Sequence, residues 1–328
     1  MQPKQNLKVT ISLRPPLADP IIQRLERLPF DIQATSSTDL VDIMKELKTS
    51  DVYVATRCSK DHLQAGSGRI QFVQMFGVGI NNIDLSAAAS HGVMVAVTPV
   101  NHVAVAEHAI ALLLAMAKRI IPSDQTLRTG SWSEGFGNGN FSVQLRGKTI
   151  GIIGFGRIGQ EVARMARGFG MRVIALKQHP YPHPWVQVLG SDQLETLLKA
   201  SDFVIVACPL TKATEGLIGR KELELMKSAA FLVNIARGKI IDENALYEAL
   251  RDKQIAGAGL DAWYLYMRGD HLSLQLPSNR AFHQLENVVM TPHRAAYDRE
   301  TFEATVDFIA RNCTRLASGK RPLGLVQL

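Results

Sequence analysis

Arg237, Asp261 and His293 each stand just beyond a short apolar run, in "AFLVNIAR", "IAGAGLD" and "NVVMTPH". A guanidinium offers a planar fork that matches a carboxylate and can polarise a neighbouring carbonyl. An imidazole titrates near neutrality, so His293 can give or take a hydroxyl proton. The carboxylate of Asp261 can orient a carboxamide. Taken singly, each has a plainer reading: a surface ion pair, a capped loop, a satisfied histidine. The three runs read as strands of one parallel sheet, whose C-terminal ends converge on a single crevice where ligands bind. Residues of these three types at three successive strand ends suit exchange of a proton on a small carboxylate-bearing molecule.

A partner for such chemistry is suggested upstream. Gly154-Phe155-Gly156-Arg157-Ile158-Gly159 fits the dinucleotide fingerprint, and it follows an apolar strand (150–153) and opens a helix (160–168). Gly154 permits the sharp turn, Gly156 lets backbone N–H groups approach a pyrophosphate, and Gly159 lets helix and strand pack closely. Arg157, inside the turn, can neutralise phosphate or simply face water. The next strand ends on Lys177, in "VIALKQHP", where a carboxylate would ordinarily hydrogen-bond the adenosine ribose. A carboxylate repels a 2′-phosphate and an ammonium attracts one, so the site leans towards NADP, with NAD as the alternative if Lys177 is only a solvated surface lysine.

The elements that must position these residues show in the rhythm of the chain. Strand-like runs ("KVTISL", "DVYVATR", "IQFVQMF", "GVMVAV") precede a Gly-, Ser- and Asn-rich stretch at 128–147, expected to be irregular. Beyond it the pattern restarts as strand, tight turn, helix and strand, continues through "DFVIVACP", and closes on an amphipathic helix from about Ala295. Such alternation argues for parallel sheet built from βαβ units. With 328 residues, two domains are expected, meeting near Thr98–Asn101.

Composition narrows the partners. The chain is 46% apolar and 20% charged with a net charge of +7, and it has no basic block interleaved with aromatics, so nucleic acid is not an expected partner. The segment from Val103 to Met116 is the most apolar, yet it holds Glu107 and His108 and stops at Lys118. It is too short and polar to span a bilayer and reads as a buried interdomain or dimer helix. The N-terminus lacks the long apolar core of a signal peptide. Cys58, Cys208 and Cys313 share no metal-ligand spacing, no metal site is expected, and they read as reduced thiols of a cytoplasmic protein.

With "FGVGINNID" upstream and "AEHAIALLLA" leading into the nucleotide half, the ordered set resembles the D-isomer-specific 2-hydroxyacid dehydrogenases from about Asp51 to Pro292 and beyond. The resemblance implies an α/β protein of two domains: a Rossmann, doubly wound parallel sheet (101–292) inserted into a smaller, discontinuous flavodoxin-like substrate domain (1–100 and 293–328). It implies hydride transfer between NAD(P) and a small anionic 2-oxo or 2-hydroxy acid, catalysed by Arg237 and His293, in a homodimer. Backbone N–H groups at Val78 and Gly79 look like the cradle for the substrate carboxylate, and such an amide nest suits an anion physically. Asn101 sits where the family places a substrate-side amide at the hinge. Cys208 and Pro209, in "CPLT", with Ala236, Ile158 and Asp261, would line the nucleotide cleft, Cys208 as a small apolar neighbour of the cofactor. Arg57 and the stretch 267–279 are placed to shape substrate choice.

One position departs from the family pattern. Members usually carry a glutamate five residues after the aspartate, as partner of the catalytic histidine; here that place holds Tyr266. A phenol holds an imidazole without supplying charge, so His293 lacks the upward push of a carboxylate. Asp270, Glu286, Asp298 and Glu300 are the acids close enough in sequence to stand in. The leading expectation is an NADPH-preferring glyoxylate/hydroxypyruvate-type reductase. The alternatives are an NAD-linked dehydrogenase of another small acid, of phosphoglycerate or formate type, and a catalytically weak dinucleotide-sensing binding protein.

Overall fold

The computed structural model describes residues 6–135, 139–266 and 275–327. They form two compact units, Met1–Asn101 with Tyr297–Leu328, and His102–Ala296. The first unit opens with β1 (Asn6–Ser12), α1 (Pro15–Glu26), β2 (Asp31–Ser36), α2 (Leu40–Leu47) and β3 (Val52–Ala55). It continues through α3 (Lys60–Ala65), β4 (Phe72–Met75), α4 (Leu85–Ser90) and β5 (Met94–Ala96). All five strands are parallel, in the order β2-β1-β3-β4-β5, which is flavodoxin-like.

The second unit begins with α5 (His102–Ala117) and α6 (Ile120–Arg128), which takes in the first residue of the stretch 128–147; the rest of its described part carries neither helix nor strand. Next come β6 (Thr149–Ile153), α7 (Arg157–Gly168), β7 (Arg172–Leu176), β8 (Gln187–Leu189), α8 (Leu194–Ala200) and β9 (Phe203–Val206). α9 (Arg220–Glu224), β10 (Phe231–Asn234), α10 (Glu243–Arg251), β11 (Gly257–Leu260) and β12 (Val288–Met290) complete it. The chain then returns to the first unit as α11 (Arg299–Ala317).

The seven strands of the second unit are parallel, in the order β12-β11-β10-β9-β6-β7-β8. From β6 the order runs outward in both directions, as in a Rossmann sheet, so its switch point lies between β6 and β9. Side chains alternate between two buried faces, as a sheet covered on both sides requires. Ile150, Ile152, Phe203, Ile205 and Val233 pack with the residues of α5 and α7. Val204, Val206, Leu232 and Leu260 pack with Leu197, Leu223 and Leu246 from α8, α9 and α10. Each such buried aliphatic chain contributes roughly 1.5–3 kcal/mol. The apolar α5 is buried inside this unit, against α7, β10 and β11.

The contacts divide the chain after Ala296, four residues later than the 292/293 boundary read from sequence. The physical reason is local. Backbone N–H groups of Arg294 and Ala295 donate to the Asp261 carboxylate at 2.9 and 3.0 Å, which ties 293–296 to the end of β11.

Candidate active site

The glycine turn follows β6 at the switch point. Gly154 has φ +105°, and a Cβ there would lie 2.5 Å from the Cys208 amide nitrogen, in the backbone that follows β9. A Cβ on Gly159 would strike the Gly154 carbonyl, so α7 packs on the turn only because that atom is missing. Gly156 meets nothing: a side chain there would enter open space. Nor does Gly156 cap α7, whereas Asp242 and Asp298 cap α10 and α11 through their side chains. The N-cap position therefore supplies no side chain to the start of α7, where the positive end of the helix dipole lies beside that open space. A pyrophosphate fits this cradle.

Lys177 follows β7. Its Nζ donates to the Phe155 carbonyl at 3.3 Å and lies 5.1 Å from the centre of the Tyr181 ring. The half-buried ammonium is thus held at the lip of the glycine turn, with two N–H bonds left to give. Tyr181 was not evident from sequence, since no spacing rule links it to Lys177. On the other side of the turn Cys208 is buried, and burial pushes its thiol up to about 11, so it is a neutral neighbour and not a nucleophile. Pro209 follows it, its carbonyl bonded by the Thr214 hydroxyl at 2.6 Å.

The three residues beyond β10, β11 and β12 come together, because those strands are neighbours. Arg237 is half-buried and spends one N–H on the Ala236 carbonyl at 2.7 Å, leaving its other donors free to meet an anion. The Ala236 N–H in turn donates to Asn234 Oδ1 at 3.0 Å. His293 has φ +53°, a left-handed conformation that non-glycine residues seldom hold, and its Nδ1 lies 3.1 Å from the Asp261 carbonyl oxygen. A carbonyl can only accept, so Nδ1 carries the proton and the lone pair of neutral His293 sits on Nε2.

Asp261 is buried, and its carboxylate faces inward. Oδ1 accepts from the Thr291 hydroxyl at 2.6 Å and the Arg294 N–H, while Oδ2 accepts from the Ala295 N–H. His108 approaches Oδ1 at 3.5 Å and Thr291 Oγ1 at 3.0 Å. Burial alone would raise the Asp261 pKa; the bonds from His108, Thr291 and the two amides outweigh it and hold the carboxyl below its ordinary range. The role of Asp261 that is visible in this geometry is to anchor the turn that carries His293.

Tyr266 stands beside His293, its ring edge-on with centroids 5.2 Å apart. Its hydroxyl oxygen accepts from the Trp263 N–H at 3.3 Å. Burial raises the Tyr266 pKa, with Asp261 adding to the rise and the Trp263 bond and Arg237 opposing it, so the phenol is neutral at physiological pH. For His293, burial is the largest influence and lowers the pKa; Asp261 opposes this and Arg237 reinforces it. Among the acids expected from sequence to stand in for glutamate, Glu286 exerts its field on Arg119, Asp298 caps α11, Glu300 lies in that helix, and Asp270 falls outside the described residues.

The remaining expected residues belong to the first unit. Arg57 follows β3, while Val78 and Gly79 follow the adjacent β4. The loop is fixed at its base, where the Thr98 N–H donates to the Gly77 carbonyl at 2.8 Å and the Thr98 hydroxyl to the Met75 carbonyl at 2.7 Å. Asn101 is the last residue before α5. Of the stretch 267–279, residues 267–274 lie outside the described residues, and Ser278 and Asn279 are tied to Glu243 of α10.

Residues 110–295 match the model of the D-isomer specific 2-hydroxyacid dehydrogenase family, NAD binding domain. The chain belongs to this family. A glyoxylate reductase from Thermococcus litoralis is 36% identical over 301 residues, covering 88% of this chain and 86% of its own. A D-3-phosphoglycerate dehydrogenase from Methanocaldococcus jannaschii is 32% identical over 328 residues, 98% of this chain and 60% of its own. Among solved structures, an NADPH-dependent glyoxylate/hydroxypyruvate reductase from Sinorhizobium meliloti, in complex with NADP and malonate, superimposes with a TM-score of 0.82 at 26% identity. That match covers 98% of this chain and 96% of the other. The protein is therefore a 2-hydroxyacid dehydrogenase that acts on a CH–OH group with a nicotinamide dinucleotide. Among the described residues no helix is long and apolar enough to cross a membrane.

Proposed function

We propose that this dehydrogenase is an NADPH-preferring reductase of small 2-oxo acids, of the glyoxylate/hydroxypyruvate type. The observation that carries the reading is the pair of cations at opposite ends of one sheet crevice: Arg237 beside His293 beyond β10 and β12, and Lys177 at the lip of the glycine turn. Val78 and Gly79 cradle the substrate carboxylate, with Asn101 and Arg57 contributing on the substrate side. Arg237 polarises the 2-oxo group. A reduced nicotinamide, when bound, supplies the hydride. His293 supplies the proton from Nε2 in reduction, and takes it back on the same atom in oxidation, because Nδ1 is committed to the Asp261 carbonyl. Asp261, whose carboxylate is bonded inward to Thr291 and to the Arg294 and Ala295 N–H groups, holds the turn that carries His293. Gly154, Gly156, Ile158 and Gly159 receive the pyrophosphate with Arg157 beside it; Cys208, Pro209 and Ala236 line the nucleotide.

Lys177 discriminates the cofactors by offering an ammonium to the 2′-phosphate. The reading includes a homodimer in the cytoplasm. α6 buries none of its residues, and Ile120, Leu127, Trp132 and Phe141 are exposed, between 51% and 89%. Such a display of large apolar side chains suits an interface.

Initial rates with NADPH and NADH against glyoxylate, hydroxypyruvate, pyruvate and phenylpyruvate test the reading. NADPH with glyoxylate or hydroxypyruvate should be fastest. Lys177→Asp should weaken NADPH binding roughly ten- to a hundredfold while leaving NADH nearly unchanged. Equal losses for both cofactors would remove the NADP assignment, and turnover confined to NADH would favour the NAD-linked alternative.

A further inference from the structure

His108 lies in α5, far in sequence from the residues it touches. Its Nε2 is 3.0 Å from Thr291 Oγ1 and 3.5 Å from Asp261 Oδ1. The Thr291 hydroxyl spends its own proton on Asp261 Oδ1 at 2.6 Å, so towards His108 it can only accept, and Nε2 of His108 must be the donor. Asp261 then distributes what it receives. Its carboxylate collects the Arg294 and Ala295 N–H groups on one side of His293, while its carbonyl holds the His293 ring itself. The turn closes with the His293 N–H donating to the Thr291 carbonyl at 3.0 Å, and Trp263 Nε1 donates to that same carbonyl at 2.8 Å.

We propose that His108 is a positioning residue for His293: by donating into the Thr291–Asp261 pair it locks the turn 291–295 and aims Nε2 of His293 at the reacting oxygen. A lock is needed because His293 holds a left-handed backbone, which persists in a non-glycine residue only where its surroundings over-determine it. Hydrogen bonds in a chain polarise one another, so the donor at the far end strengthens the Thr291–Asp261 bond as well. The charged and titratable groups that face His293 are Asp261, Arg237 and Tyr266; those facing His108 include Asp261, and Glu107 precedes it in α5. The proposal rests on His293 as the proton carrier, but its test does not depend on turnover alone.

The test is an NMR titration of the His293 imidazole in the cofactor-free protein, paired with kinetics, for His108→Ala, His108→Gln and Thr291→Val. Losing the donor leaves Asp261 with a fuller negative charge and admits water, so His108→Ala should move the His293 titration upward by about half a unit. kcat for 2-oxo acid reduction should fall about ten- to a hundredfold through misplacement of Nε2, with KM changed by less than about threefold. His108→Gln keeps an N–H donor and should recover most of both effects. Thr291→Val should imitate His108→Ala, and the double variant should be little worse than either alone. An unchanged titration in both single variants, effects that simply add, or no recovery with glutamine would overturn the proposal. A titration that shifts as described, in a protein that turns over no 2-oxo acid, would instead overturn the functional reading and leave the positioning role standing.

Discussion

Each unit carries a buried polar network, and the two networks are built from different chemistry. In the first unit, Gln74 donates to Thr98 at 2.9 Å and accepts from Asn312 of α11 at 2.7 Å, and Asn312 also pairs with both backbone groups of Leu323. Gln74, Thr98 and Asn312 are at most 1% exposed, and none of them titrates. In the second unit, the corresponding network holds a carboxylate and two imidazoles, through Asp261, Thr291, His108 and His293. A network of amides and hydroxyls keeps its geometry at every pH, as the cradle proposed for the substrate carboxylate would require. A proton carrier must instead be poised between two states, which requires charge nearby. The first network is a frame; the second is a frame that also sets a pKa.

Breaking the second network at its end should have the largest effect. His293→Ala should lower kcat about 10²- to 10⁴-fold, the range expected for a lost general acid, without altering the denaturant midpoint appreciably. Breaking the first should do the opposite. Asn312→Leu leaves Gln74 Oε1 and the Leu323 N–H buried without partners, at a cost of about 2–4 kcal/mol in urea unfolding. The pH dependence of the remaining activity should be unchanged, since no titrating group has moved.

Tyr266→Glu sharpens the contrast by adding charge where this chain has a neutral ring. A carboxylate beside His293 should raise its pKa by about 1–2 units, so reduction would persist to correspondingly higher pH. The same substitution should leave unfolding within about 1 kcal/mol of the parent, because Tyr266 is partly exposed.

Sequence patterns disclosed the frame of the second unit well. Gly154 and Gly159 are demanded by close backbone approach, a requirement that leaves a mark at fixed spacing. Arg237, Asp261 and His293 were legible because each ends an apolar run. β2 and β8 were not: both are edge strands with few buried residues, so "DIQATS" and "QVL" lack the apolar signal that marks β9 or β10. Thr291 and His108 were illegible as a pair for a different reason. They lie 183 residues apart, and only the packing of α5 near β12 brings a polar helix residue to a strand end. His108 reads in sequence as an interruption of an apolar helix. The tether from Lys177 to the Phe155 carbonyl is likewise tertiary, although the lysine itself stood out by charge.

The central claim is that His293 carries the proton and that its surroundings hold its pKa below the ordinary histidine value of about 6.5. Reduction needs the imidazolium and oxidation the neutral ring. The most direct test is the pH dependence of kcat/KM, which reports the free enzyme, in both directions, in the wild-type protein and in His293→Ala. Reduction should fall as pH rises through a single pKa below 6.5, oxidation should rise through the same value, and both limbs should vanish in the variant. A limb at or above 6.5, or one that survives in His293→Ala, would contradict the account.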